Sequence, residues 1–294
     1  MHSKILCLST LLFISCSLYA QDLMNIADKT IVPENELTTS TFKTTRNINF
    51  QTLESLGKHT LDFRISHRFG PMNSGSYEFW GIDQTANIRL GLEYSHDGRF
   101  MFGVGRSSYQ KMYDGFLKYR LIRQQTDNGP PLSVTLFAGG YYTAQRDLQA
   151  AYNGYDKYQY GSDRLSYVYE VMAGRKFTSS FSLQLAPFFV HANLVDRISD
   201  KNDCYGVAVV TRLKFTKRQA ITAEYAYRIN KYSNTSYYNS LGIGWEIETG
   251  GHVFQVHVTN SYGIADNQYL MFTNTQWNNM GIRLGFNISR VFTL

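Results

Sequence analysis

The side chains most able to do chemistry are scattered along this chain. His59, His67, His96, His191, His252 and His257 stand singly, with no His-x-x-x-His pair and no Cys-x-x-Cys, so the clustered donors of a metal site are not in evidence. His257, on an inward phase, is the one candidate ligand. With Asn260 and Ser261 it also sketches a base, an orienting amide and a nucleophile, as a membrane phospholipase would need. The spacing is loose and no lipase signature surrounds it, so no enzyme and no cofactor are expected. Gly91, Gly103 and Gly105 lack the strand-loop-helix setting of a phosphate loop and instead relieve crowding on a strand face.

Charge is the more organised feature. Arg64, Arg68, Arg89, Lys118, Arg120, Lys176, Arg212, Lys214, Arg228 and Arg283 fall on one phase of an alternating pattern. Asp62, Glu93, Glu170, Glu224, Glu246 and Glu248 share that phase. Ten bases against six acids on one face predict a mildly basic lining with anion preference, if that face encloses water. Cross-pairing of the same charges into a closed interior is the competing expectation.

Strands must position these groups. The 294 residues include 22 Tyr, 19 Phe and 3 Trp, with 23 Gly against 5 Pro, a composition suited to strands and tight turns. No stretch of 18 apolar residues offers a membrane helix. From His59 onward, period-2 runs follow one another. Leu61, Phe63, Ile65, His67 and Phe69 oppose Asp62, Arg64, Ser66 and Arg68; Leu241, Ile243, Trp245 and Ile247 oppose Gly242, Gly244 and Glu246. Twelve such runs are predicted, each long enough to cross a bilayer at a tilt.

A lumen enclosed by twelve strands is too wide for side chains to fill as a dry apolar core, so the apolar face belongs outside, against lipid. Links alternate between short and long, apart from 107–112, short among the long, and 123–131, nine residues among the short, as in barrels with short periplasmic turns and long extracellular loops. Outward aromatics gather near both strand ends, among them Tyr94, Phe100, Phe215 and Phe254 beside the short turns and Phe69, Tyr142, Tyr205 and Tyr227 beside the long loops, as two interfacial girdles would. Arg290 interrupts the outward phase of the last strand, which predicts a bulge or a snorkelling arginine.

Ahead of the strands, Lys4, the apolar run Ile5–Ile14 and a small residue at Ala20 make an export signal over residues 1–20. Cys16 offers a rival lipidation site. Cleavage after Ala20 removes Lys4, Cys7 and Cys16, lowers the net charge from +6 to +5 and leaves Cys204 as the only cysteine. No basic block points to nucleic acid. Residues 21–57 are polar and Thr-rich; they are expected either as a periplasmic tail or short extra strand at the barrel mouth, or as a segment entering the lumen.

Four runs, FKTTRNINFQTLESLGKHTLDFRISHRFG (42–70), GIDQTANIRLGLEYS (81–95), VGRSS (104–108) and YDGFLKYRL (113–121), resemble a family of uncharacterised Gram-negative proteins described as a membrane-bound β-barrel domain. The resemblance is dense in the first third and only a pattern from 122 onward. It implies an outer-membrane barrel and no activity.

The expectation is therefore an all-β, antiparallel, up-and-down transmembrane barrel of about twelve strands over residues 58–294, exported to the outer membrane of a Gram-negative bacterium and monomeric. Its partners would be outer-membrane lipid, the insertion machinery and small solutes passing through a narrow, passive channel lined by Arg64, Arg68, Arg89, Glu93, Lys118, Arg120, Glu170, Arg212, Lys214, Arg228 and Arg283. The alternative is a non-conducting surface barrel whose Tyr-rich loops (Tyr152, Tyr155, Tyr160, Tyr232, Tyr237, Tyr238) bind a glycan or protein.

Overall fold

A computed structural model describes residues 37–126, 129–146, 157–196, 200–230 and 237–294. The expected export signal, Cys16 and the loop tyrosines Tyr152, Tyr155 and Tyr232 lie outside these residues.

Twelve strands close on themselves: β1 (Lys58–Pro71), β2 (Asn87–Asp97), β3 (Phe100–Ser107), β4 (Met112–Ile122), β5 (Ser133–Thr143), β6 (Leu165–Lys176), β7 (Phe181–Ala192), β8 (Asp203–Lys214), β9 (Gln219–Arg228), β10 (Leu241–Thr249), β11 (His252–Thr259) and β12 (Arg283–Thr293). Each pairs antiparallel with its neighbours in sequence, and β1 closes on β12. From Thr60 onward the even positions of β1 are buried and the odd positions half-buried or exposed, and a like alternation runs through the other strands. Leu90, Leu92, Leu117, Leu136, Trp245 and Val256 are among the exposed large apolar residues, the reverse of a water-soluble protein and the arrangement lipid requires.

At one rim, which also carries the start of β1 and the end of β12, the links are short apart from 123–132; we call it the turn end. Between β2 and β3 the chain reverses at Gly98, with φ of 80°, while Asp97 accepts from the backbone N–H groups of Arg99 (2.9 Å) and Phe100 (2.6 Å). The opposite rim, the loop end, carries the longer links apart from 108–111. One of these, 260–282, folds inward and forms a short helix α1 (Asp266–Met271) whose residues are all buried.

Register answers the question raised by Arg290. It pairs opposite Phe63 and His252 with no register shift beside it, the one irregularity of the β1–β12 ladder lying between Arg68 and Pro71, so no bulge is present there. The side chain faces outward and its guanidinium lies 4.9 Å from the Phe292 ring centroid, at the turn end.

Residues 41–56 take the lumen rather than the mouth. They form a hairpin with a bridge between Arg46 and Gln51 and with Asn47 N–H donating to Phe50 C=O (2.8 Å). It enters at the turn end, and its tip, Asn47–Phe50, points toward α1.

Candidate functional site

The water-filled interior expected from the charge pattern is occupied by the hairpin. The largest fully buried side chains include Arg64 (1% exposed), Arg68, Arg89 and Lys118 (each 0%). In an open channel these would be among the wettest groups of the molecule. On the hairpin, Gln51 is 0% exposed, Asn49 1% and Phe50 2%.

Charges of the wall are met mostly by uncharged groups of the hairpin. The Glu224 carboxylate accepts from the backbone N–H groups of Ile48 (3.0 Å), Asn49 (2.8 Å) and Phe50 (3.3 Å) and from the side-chain amides of Asn47 (3.2 Å) and Asn49 (2.8 Å). Three consecutive N–H groups at a turn make a concave anion seat, here filled by the protein's own carboxylate. Lys118 Nζ donates to the carbonyls of Thr45 (3.0 Å), Thr52 (3.1 Å) and Glu54 (3.3 Å). Arg68 donates to Ile48 C=O (3.1 Å) and Asn49 Oδ1 (2.9 Å), and Arg64 to Arg46 C=O (3.3 Å). Arg120 binds Glu54 (3.1 Å) and Ser55 C=O (3.0 Å), and Glu93 accepts from the Thr45 hydroxyl.

Apolar hairpin side chains seat against glycines. A Cβ on Gly244 would lie 3.1 Å from Ile48 Cγ1, and one on Gly174 only 2.5 Å from Leu53 Cδ2, so bare backbone at these wall positions admits the hairpin. Burying Ile48, Phe50 and Leu53 supplies roughly 1.5–3 kcal/mol each toward the entropy of ordering the segment.

The hairpin tip meets α1 in mid-lumen. Arg46 makes a forked contact to Asp266 (3.2 and 2.9 Å), Gln51 donates to the same carboxylate (3.2 Å), and the Phe50 and Tyr269 rings stack with centroids 4.8 Å apart. Tyr141 (2.8 Å) and Tyr269 (2.6 Å) also donate to Asp266. Burial alone would push this carboxyl up; the Arg46 charge and the two phenols outweigh it and hold the group below the usual carboxylate range.

Two other expected lining residues pair within the wall. Arg89 reaches Asp114 two strands away (Nε to Oδ1, 2.9 Å) across paired Gly91 and Gly105, and a Cβ on Gly105 would lie 2.3 Å from its guanidinium. Arg212 likewise crosses β9 to Glu246 (2.8 Å) and Glu248 (2.9 Å). Arg228 donates to Met271 C=O (3.0 Å), Arg283 lies 4.6 Å from the Tyr262 ring centroid, and Glu170 is 4% exposed. Lys214 is half-buried at the turn end of β8.

The loose hydrolase outline is not assembled by hydrogen bonds. Ser261 Oγ donates to Gly263 C=O (3.0 Å), the Asn260 amide donates to Asn239 and Thr275 C=O, and His257 bonds to neither. Among the described residues there is no group of three or more His, Cys, Asp or Glu side chains able to hold a metal.

A family model described as "Membrane bound beta barrel domain (DUF5777)" matches residues 42–292, so all of the hairpin but Thr41 falls inside the matched stretch. No curated protein matches the chain. Among solved structures the chain is similar to the KdgM porin, with a TM-score of 0.44 at 11% identity over 80% of this chain and 99% of that one. Outer membrane phospholipase A from Escherichia coli gives 0.43 at 11% identity over 78% and 92%. LpxR from Salmonella typhimurium gives 0.35 at 10% identity over 80% and 100%. None of these values bears on activity.

Proposed function

We propose that this chain, which belongs to the DUF5777 family of membrane-bound beta barrels, is an outer-membrane barrel closed at rest, whose lumen becomes a path for small solutes when hairpin 41–56 withdraws toward the turn end. One observation carries the reading: the hairpin is held to the wall chiefly by hydrogen bonds between polar groups on both sides. Both surfaces would be satisfied by water on separation, whereas an apolar plug would leave two surfaces that water disfavours. Lipid around the wall, the insertion machinery during biogenesis and the permeating solute are its proposed partners, and the barrel acts as a monomer.

The test is current through a planar bilayer under a KCl gradient. The full chain is expected to be silent, and a variant lacking residues 41–56 to show discrete steps with a reversal potential on the anion side. Steady current from the full chain would reject the closed resting state. Silence from a deletion variant that folds as a barrel, judged by heat-modifiable migration on a gel, would reject the solute path. In that second case the loop end is left as the working surface, a reading favoured by Tyr158 and Tyr237, which line a cavity there.

A further inference from the structure

On the loop side of α1 lies a cavity of about 170 Å³. Asn267 and Phe272 line it from α1 and the residue that ends the helix, Tyr109 and Gln110 from the link between β3 and β4, and Tyr158 and Tyr237 from the longer loops. Its charges are balanced and already engaged: Lys157 pairs with Asp196 (2.5 Å), and Arg164 lies 4.1 Å from the Tyr158 ring centroid, with Asp163 beside it in the lining. Tyr237 donates to Asp196 (2.9 Å); burial first, and then that carboxylate, push its phenol up, so it stays a donor.

Asn267 is the telling residue. It is 2% exposed and donates to Ser166 Oγ (2.7 Å), yet its Oδ1 accepts no hydrogen bond from the protein. A buried carbonyl left in this way is a polar group that the chain's own donors leave open, on a helix that lines the cavity. An ion is a poor candidate, because the lining charges neutralise one another and an added charge would lack a counterpart. An acyl chain is no better matched, since amides, hydroxyls and ion pairs dominate the walls. Aromatic faces beside planar amides and hydroxyls suit a ring that offers C–H groups on its faces and hydroxyls on its edge.

We propose that this cavity binds a small neutral polyhydroxylated solute, a monosaccharide or one sugar unit of a longer glycan. The volume is below the range usual for drug-sized ligands and fits one ring. The site stands whether or not the hairpin moves, so a silent bilayer leaves it untouched.

The test uses the full chain folded in detergent micelles, with glucose, N-acetylglucosamine and galacturonate as probes in saturation-transfer NMR. Signal from at least one neutral sugar, weaker or absent for galacturonate, is expected. Tyr158→Ala, on a surface loop, and Asn267→Leu, on the floor, should each weaken that binding at least tenfold, with heat-modifiable migration confirming the fold. No transfer from either neutral sugar at millimolar concentration would overturn the proposal. So would preference for galacturonate, or affinity unchanged in both variants.

Discussion

Glu224 shows what a single residue can hold. A buried carboxylate is costly unless donors surround it, and this one takes five from one turn of one hairpin. Glu224→Ala leaves three backbone N–H groups of that turn without an acceptor. At about 1.5–3 kcal/mol for hydrogen bonds to a charged group, the population with the hairpin undocked should rise roughly tenfold to a hundredfold. Limited trypsin digestion reads this directly: cleavage after Arg46, 2% exposed in the docked state, should be slow in the parent and fast in the variant. Asp266 predicts a pH response of known sign. Its folded value is depressed, so the Arg46–Asp266 contact contributes fully above the ordinary carboxylate value of about 3.9 and is lost only below it. A double-mutant cycle of Arg46→Ala and Asp266→Ala should therefore return the same coupling energy at neutral and at mildly acidic pH. A third prediction concerns Gly105, where a side chain would press on the Arg89 guanidinium. Gly105→Val should lower stability by about 1–3 kcal/mol, seen as a lower midpoint of heat modifiability.

At the scale of elements, some parts were legible in the sequence and others were hidden by where they lie. Strands were readable because lipid outside imposes an apolar residue at every second position, whether the inward neighbour is polar, as Arg64 and Glu93 are, or apolar, as Val190 and Val210 are. The alternation lost β4 before Leu117, since outward Gly115 breaks the apolar row, and with it went inward Asp114, the partner of Arg89. Strand β12 begins at Arg283 rather than Met280, after a left-handed residue at Met280 with φ of 56°. The hairpin gave no period because polar wall groups and an apolar cluster that takes in Phe42, Phe50 and Leu53 both surround it. Thr44, Thr45, Asn47, Asn49 and Gln51 look like an exposed tail, yet they are buried among arginines and glutamates whose charges uncharged amides and hydroxyls can satisfy. Asp266, Asn267 and Gln268 hide α1 in the same way: three polar residues in a long loop suggest water, and the lumen supplies the equivalent contacts instead. A usable signal was present in the imbalance of the wall itself, since ten inward bases facing six acids need further acceptors, and hairpin carbonyls provide them.

For the whole molecule, the phase of the expected lining residues does not say what meets them inside the barrel. Local pairs two strands apart account for Arg89 and Arg212, while Arg64, Arg68, Lys118 and Arg120 depend on the hairpin. Removing residues 41–56 should thus expose a basic lumen. In that background, Arg64→Glu, Arg68→Glu and Lys118→Glu together should move the reversal potential from the anion side to the cation side; an unmoved potential would mean that ions pass elsewhere.

Gly57 alone separates the hairpin from β1. Whatever draws the hairpin out, it stays anchored at the rim it left, and its return is an intramolecular event. A tether this short corresponds to an effective concentration on the order of millimolar, independent of how much protein the membrane holds. Shutting is then a matter of conformational rate rather than of diffusion, and a free peptide copying residues 41–56 could restore closure to the deleted barrel only when supplied at comparable concentration.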